Sequence, residues 1–197
     1  MTVRAHSLAL VLLSACSASS QPDVSGSGTI AGVSFGATAG VVSGPLASWL
    51  ICSGAADGGT DCVSTGQASL TITFTNEAAF GCGDMASNFS NLEMLYVNVI
   101  QSGSIGPATY AIGTGASGAS ATFSTTTASC GSGVTSAATG GSVTVTSVTG
   151  GKISGSVSLM FGASPFTGTF DVASCTSTDG GPPPDAGLPI NVTVCQP

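Results

Sequence analysis

GGSVTVTSVTGGKISGSVSLMFGASPFTGTFDVASC, residues 140–175, decides the fold class. Val143 and Val145 alternate with Thr144 and Thr146. Ile153, Val157, Leu159 and Phe161 share one parity, and so do Phe166, Phe170 and Val172. A period of two places apolar side chains on one face of a strand and hydroxyls on the other. Gly150-Gly151 and Gly162-Ala163-Ser164-Pro165 supply the turns between three successive antiparallel strands.

Shorter segments of the same kind lie on the N-terminal side. Residues 28–35 (GTIAGVSF) read as a first strand, and residues 38–51 as one or two strands broken at Gly44-Pro45. Leu70, Ile72 and Phe74 alternate within residues 68–75. Residues 92–100, 108–113 and 121–130 follow, with a helical first turn allowed at Leu92, and LPINVTVC at 188–195 makes a last strand. Residues 76–90 suit a short helix or an irregular loop equally. About ten short strands with glycine turns predict an all-β antiparallel sandwich or flattened barrel.

Only 6% of the 197 residues are charged and the net charge is −7, against about a quarter charged in ordinary domains. With 42% hydrophobic residues, the chain has the opposite composition to a disordered one. Its surface is expected to be rich in Ser, Thr and Gly.

The first sixteen residues, MTVRAHSLALVLLSAC, carry Arg4 and an apolar run from Leu8 to Leu13. That run is too short to span a bilayer and ends in small residues, as a signal peptide does. Leu13-Ser14-Ala15-Cys16 resembles the lipobox of bacterial lipoproteins. The resemblance implies cleavage between Ala15 and Cys16, a diacylglycerol on the Cys16 thiol and an N-linked acyl chain such as palmitate. Two or more chains suffice for stable membrane anchoring. Ser17 at the next position implies delivery to the outer membrane. The plainer reading is a secretory signal cleaved nearby, with Cys16 an ordinary cysteine. Residues 1–15 are thus expected to be the signal helix, 16–27 a flexible tether and 28–197 one β domain, with 176–187 a Pro/Gly-rich loop.

Seven cysteines less Cys16 leave Cys52, Cys62, Cys82, Cys130, Cys175 and Cys195. Six thiols in an exported domain read as three disulfides. The expected pairs are Cys52–Cys62, Cys130–Cys175 and Cys82–Cys195. No CxxC pair occurs, which disfavours zinc.

GTIAGVSF, GPATYAIG at 106–113 and the meander ending FTGTFDVASC together resemble a group of uncharacterised secreted bacterial lipoproteins with an all-β domain. The resemblance carries structural motifs and no catalytic residues.

The chemistry available is narrow. His6 and Arg4, the single His and single Arg, both precede Cys16, so the chain from Cys16 onward holds one cation, Lys152. A Ser-His-Asp or Cys-His mechanism lacks its base. Histidine-ligated metals lack their ligand. No basic patch exists to neutralise nucleic acid. Lys152 beside the Gly150-Gly151 turn reads as a solvated cation. Glu77, Asp84 and Glu93 are the carboxylates that a small glycoside hydrolase would use, since such an enzyme needs two across a cleft; solvated loop charges are the plainer reading. Asp57 and Asp61 are weak Ca²⁺ candidates against an ordinary polar turn. Trp49, Tyr96 and Tyr110 read as core residues.

No cofactor is implied. The expectation is a non-catalytic envelope or surface module, anchored through Cys16, that engages a protein or glycan. A carboxylate-dependent hydrolase and a passive lipid-carrying barrel are the alternatives.

Overall fold

A computed structural model of the chain describes residues 23–44, 50–54, 60–64, 66–82, 89–113 and 117–175. The signal helix expected at 1–15, most of the tether expected at 16–27, the loop expected at 176–187 and the strand expected at 188–195 lie outside the described residues.

The described chain is all β. Its strands are β1 (Asp23–Ile30), β2 (Val33–Ala37), β3 (Ala39–Ser43), β4 (Leu50–Gly54), β5 (Thr60–Ser64), β6 (Gln67–Thr75), β7 (Glu93–Ser102), β8 (Ala108–Ala111), β9 (Gly118–Thr126), β10 (Ser132–Ala137), β11 (Gly140–Thr149), β12 (Lys152–Phe161) and β13 (Ser164–Cys175). Eleven of them form one hydrogen-bonded sheet; β4 and β5 form a separate hairpin.

The large sheet folds over into two layers. One runs β2-β1-β13-β12-β11-β8 and the other β10-β9-β7-β6-β3. Three features join them. Thr38 separates β2 from β3, so one nearly continuous segment pairs first with β1 and then with β6. The last residues of β13 run parallel to β3, with Ser174 opposite Val42. At the far side a bridge links Ile112 to Ala119. The result is a flattened antiparallel barrel, or sandwich, as the alternation predicts.

The meander matches its reading closely. Val143, Val145, Ile153, Val157, Leu159, Phe161, Phe166, Phe170 and Val172 are all buried in one core. Gly150 and Gly151 have φ of 61° and 77°, the left-handed pair that a two-residue hairpin turn of this twist requires. A bulge between Val145 and Ser147 shifts the parity of β11, so Val148 also packs against the core.

Facing layers meet through aromatic rings. Phe35 of β2 lies 5.2 Å from Phe123 of β9 and 5.6 Å from Phe166 of β13. Phe74 of β6 meets Phe166 at 6.0 Å and Phe170 at 6.3 Å, both edge-on. Edge-to-face pairs at such separations add to the burial energy. A smaller cluster of Ala39, Val41, Phe80, Phe89 and Leu92 packs on the opposite side of β3, with Cys82 and Cys175 against it.

Several expectations are corrected. GTIAGVSF is a hairpin turning at Ala31-Gly32, not one strand. Its first strand starts at Asp23, so residues 23–27 belong to the domain and not to the tether. The second meander turn takes two residues, Gly162 and Ala163, not four. Cys52 and Cys62 lie inside strands, at the middle of β4 and of β5. β7 is extended from Glu93, with no helical turn. β10, with neither face buried, has no counterpart among the expected strands.

Candidate functional site

The outer surface of the β2-β1-β13-β12-β11-β8 layer follows directly from the alternation that builds the core. Over the middle of four neighbouring strands and into a fifth, the outward-facing positions are Ser or Thr. Register places Ser25, Thr169, Ser156, Thr144 and Thr109 in one row across β1, β13, β12, β11 and β8. Ser27, Thr167, Ser158 and Ser142 form the next row. All nine residues are exposed or half-buried. Strand geometry spaces these hydroxyls by about 4.8 Å across the sheet and about 6.7 Å along it.

Neighbours in the first row bond to one another: Ser25 Oγ with Thr169 Oγ1 at 3.0 Å, and Thr109 Oγ1 with Thr144 Oγ1 at 3.1 Å. Neither row contains a charge. The ionic groups gather at one margin, where Lys152 Nζ donates to Asp171 Oδ2 at 2.7 Å and Ser154 Oγ donates to Asp171 Oδ1 at 2.6 Å. The Lys152 hydrogen bond, then that of Ser154, holds the Asp171 carboxyl below its ordinary value. Asp23 stands directly across from Asp171 on β1. Lys152 is an exposed cation at the start of β12 and the ion-pair partner of Asp171.

Two of the three hydrolase candidates lie at one end of the other layer. Asn76 Oδ1 accepts from the Glu93 N–H at 3.0 Å, and the Asn76 N–H donates to Glu93 O. Glu77 is buried, but its Oε1 accepts the Ala79 N–H at 3.2 Å, which caps the turn after β6. Burial pushes the Glu93 carboxyl up. Asp84 lies outside the described residues.

Asp57 also lies outside them. Asp61 is placed only by its backbone, opposite Ser53 in the β4–β5 hairpin. Among the described residues no group of three His, Cys, Asp or Glu is disposed to hold a metal ion, and no helix is long and apolar enough to cross a membrane.

Tyr110 is buried and donates from its hydroxyl to Gly106 O at 2.9 Å. Tyr96 corrects its reading as a core residue. It occupies the outward parity of β7, is 36% exposed, and donates to Met94 Sδ at 2.9 Å. Trp49 lies outside the described residues. Beside Tyr96, Thr73 is 1% exposed, and its Oγ1 has no hydrogen-bond partner.

The cysteines pair differently from the expectation. Cys82 is bonded to Cys175, which overturns both Cys130–Cys175 and Cys82–Cys195. The reason lies in topology: β13 continues past its partner β12 and runs beside β3, carrying Cys175 onto the small outer cluster where Cys82 also packs. Cys130 is disulfide-bonded as well. Cys52 and Cys62 face each other in register on β4 and β5, while their side chains lie outside the described residues, as do Ala15, Cys16 and Cys195.

Comparison with protein-family models, with curated proteins and with solved structures finds no match.

Proposed function

We propose that this protein is an exported lipoprotein. In this reading Cys16 carries the lipid, and a non-catalytic β-sandwich engages a protein or glycan of the cell envelope through its hydroxyl-bearing face. The observation that carries the interaction is the pair of uncharged Ser/Thr rows spanning up to five strands. Such a face recognises a partner through many neutral hydrogen bonds and attracts neither phosphate nor a cationic surface. The space between the layers is occupied by the ring chain from Phe123 to Phe170, which favours a binding face over a lipid-carrying interior.

The lipobox resemblance at Leu13–Cys16 supports the anchor. Six residues, 17 to 22, separate Cys16 from the first strand residue. Fully extended they reach about 20–22 Å, so the domain would stand next to the membrane surface.

Two measurements test the reading. Mass spectrometry of the membrane-extracted chain should find a diacylglyceryl, N-acylated Cys16, and Cys16→Ala should release the protein from membranes. The oxidised protein should then show a ligand-dependent rise in melting temperature with a glycan panel or an envelope extract, abolished in Thr144→Lys/Ser156→Lys. Unmodified Cys16 in a membrane-bound protein refutes the anchor. Binding that survives both lysines refutes the face.

A further inference from the structure

We infer that a linear neutral polysaccharide occupies the hydroxyl face proposed above, on which this step rests, and lies across the strands at about one sugar ring per strand.

Three features of the face select a glycan over a protein. The middle of both rows is carried by β13, β12 and β11, and each of these strands is hydrogen-bonded along both edges there. Their backbone groups are already paired, so an added peptide strand finds no edge. Next, the rows hold only Ser and Thr. Protein partners draw most of their affinity from Trp, Tyr and Arg anchors seated in desolvated pockets, and these rows neither supply nor receive one. Last, a Ser or Thr hydroxyl both donates and accepts. The bonds Ser25–Thr169 and Thr109–Thr144 hold neighbouring oxygens in place, and each pair keeps one further O–H to give. Sugar hydroxyls have the same two-sided character, so the two surfaces match without a surplus of donors or acceptors.

The margins reinforce the match. Beyond the first row, the carboxylates of Asp23 and Asp171 stand across from each other on β1 and β13 and turn away an anionic chain. Beyond the second row, exposed Met160 faces exposed Pro165 across β12 and β13. This apolar ledge suits the carbon-bound face of a sugar ring whose hydroxyls reach Ser158 and Thr167.

Dimensions set the length and form of the occupant. Five strands spaced by about 4.8 Å give the first row a span of about 19 Å, and an extended sugar chain advances by a similar step per ring. Each exposed hydroxyl exchanges a bond to water for a bond to ligand and nets little. A single sugar therefore does not repay the motion lost on binding, whereas a chain along a whole row does. Neighbouring strands rotate by about 20–25°, so the row turns through roughly 80–100°. A single flexible chain follows that turn and a flat crystalline surface does not.

Isothermal titration calorimetry of the detergent-solubilised, oxidised full chain tests this with glucan, mannan and xylan oligosaccharides from the disaccharide upward, and with alginate as the anionic counterpart. For the neutral chains Kd should fall by at least about tenfold between the disaccharide and a chain of about five rings, then level off. Added salt should leave it unchanged. Thr144→Lys/Ser156→Lys should abolish binding. Ser120→Lys/Thr122→Lys, on the exposed face of the other layer, should leave it intact. Where the first lysine pair fails to fold, Thr144→Val/Ser156→Ala takes its place and should weaken binding about fivefold or more.

No binding by any neutral oligosaccharide, equal affinity for disaccharide and long chain, tighter binding of alginate, or affinity lost on adding salt overturns the inference. An envelope protein held by the unsubstituted chain and lost in Thr144→Lys/Ser156→Lys, with no glycan bound, overturns it too and leaves the proposed function standing. Glycan binding that persists in that variant overturns the face and its occupant together.

Discussion

Gly155→Ala probes how the aromatic core is fitted. Gly155 has inward parity on β12, between Ile153 and Val157, where alternation calls for an apolar side chain. A Cβ there would collide with the Thr144 carbonyl of the adjacent strand. It would also stand 2.5 Å from Phe170 Cζ and 3.1 Å from Phe170 Cε1. The ring has little room to retreat. Phe170 is 2% exposed, and its ring is the last in a chain running through Phe74, Phe166 and Phe35 to Phe123, with centroids 5.2–6.3 Å apart. Overpacking a close-packed interior costs about 1–3 kcal/mol. Because the first obstacle is backbone, the upper part of that range applies, about 2–3 kcal/mol. At about 2–4 °C per kcal/mol for a domain of this size, Gly155→Ala should lower the melting temperature by roughly 4–12 °C.

Gly36→Ala is the control. Nothing lies within 4 Å of its Cβ position, and a lower entropy of the unfolded chain should stabilise it by about 0.4–1 kcal/mol. Differential scanning calorimetry of the oxidised protein reads both. In a Phe170→Leu background, which removes the obstructing ring edge, the alanine should cost less, and the difference is the coupling between the two sites. If Gly155→Ala melts with or above Gly36→Ala, the packing argument is wrong. If the cost is identical in the two backgrounds, the carbonyl alone accounts for it and the ring does not.

Three further outcomes are expected. Cys82→Ala/Cys175→Ala opens a link between residues 93 apart in sequence, worth about 4–5 kcal/mol on the chain-entropy account; urea denaturation showing no loss would contradict it. Asp171 is held below its ordinary 3.8 in the folded state, so its contribution exists above that value and disappears as pH falls through the depressed one. Asp171→Asn should therefore melt slightly lower than the unsubstituted protein at neutral pH and converge with it in strong acid, and a gap that widens on acidification would reverse the sign. Thr73→Val replaces a buried hydroxyl without a partner by a group of like shape, and should be neutral or stabilising by about 1 kcal/mol in urea titrations; a clear loss would mean that the hydroxyl is satisfied.

The meander was legible because both of its faces are specified. Burial demands Val, Ile, Leu and Phe at one parity, while solvent leaves Ser and Thr at the other. Gly155 and Gly168 interrupt that parity for a reason visible only in three dimensions: rings of Phe170 and Phe74 stand over them. The Ala31-Gly32 hairpin was hidden because Ala31 adopts φ of 49° without being a residue that advertises a turn. β10 was hidden because none of its residues is buried, so no alternation is imposed on it. Tyr96 sits among apolar neighbours in sequence, but its parity is opposite to that of Leu95 and Val97, and parity decided its exposure. The disulfide was illegible because Cys175 reaches Cys82 only through the parallel end of β13, a contact between segments 93 residues apart. The hydroxyl face could be anticipated as composition, whereas its rows depend on register.

The position of β1 has a mechanical consequence. It is an interior strand, bonded along one edge to β13 from Asp23 to Gly28 and along the other to β2 from Gly26 to Ile30. A pull applied to the chain ahead of Asp23 and resisted by the opposite end of the domain runs along the axis of β1. Both ladders are then loaded in shear, many hydrogen bonds at once, rather than peeled open one at a time. The inward-facing Val24 and Ile30 must also be dragged through the packed core before β1 can slip. Tension entering from the N-terminal side meets a strand held along both of its edges.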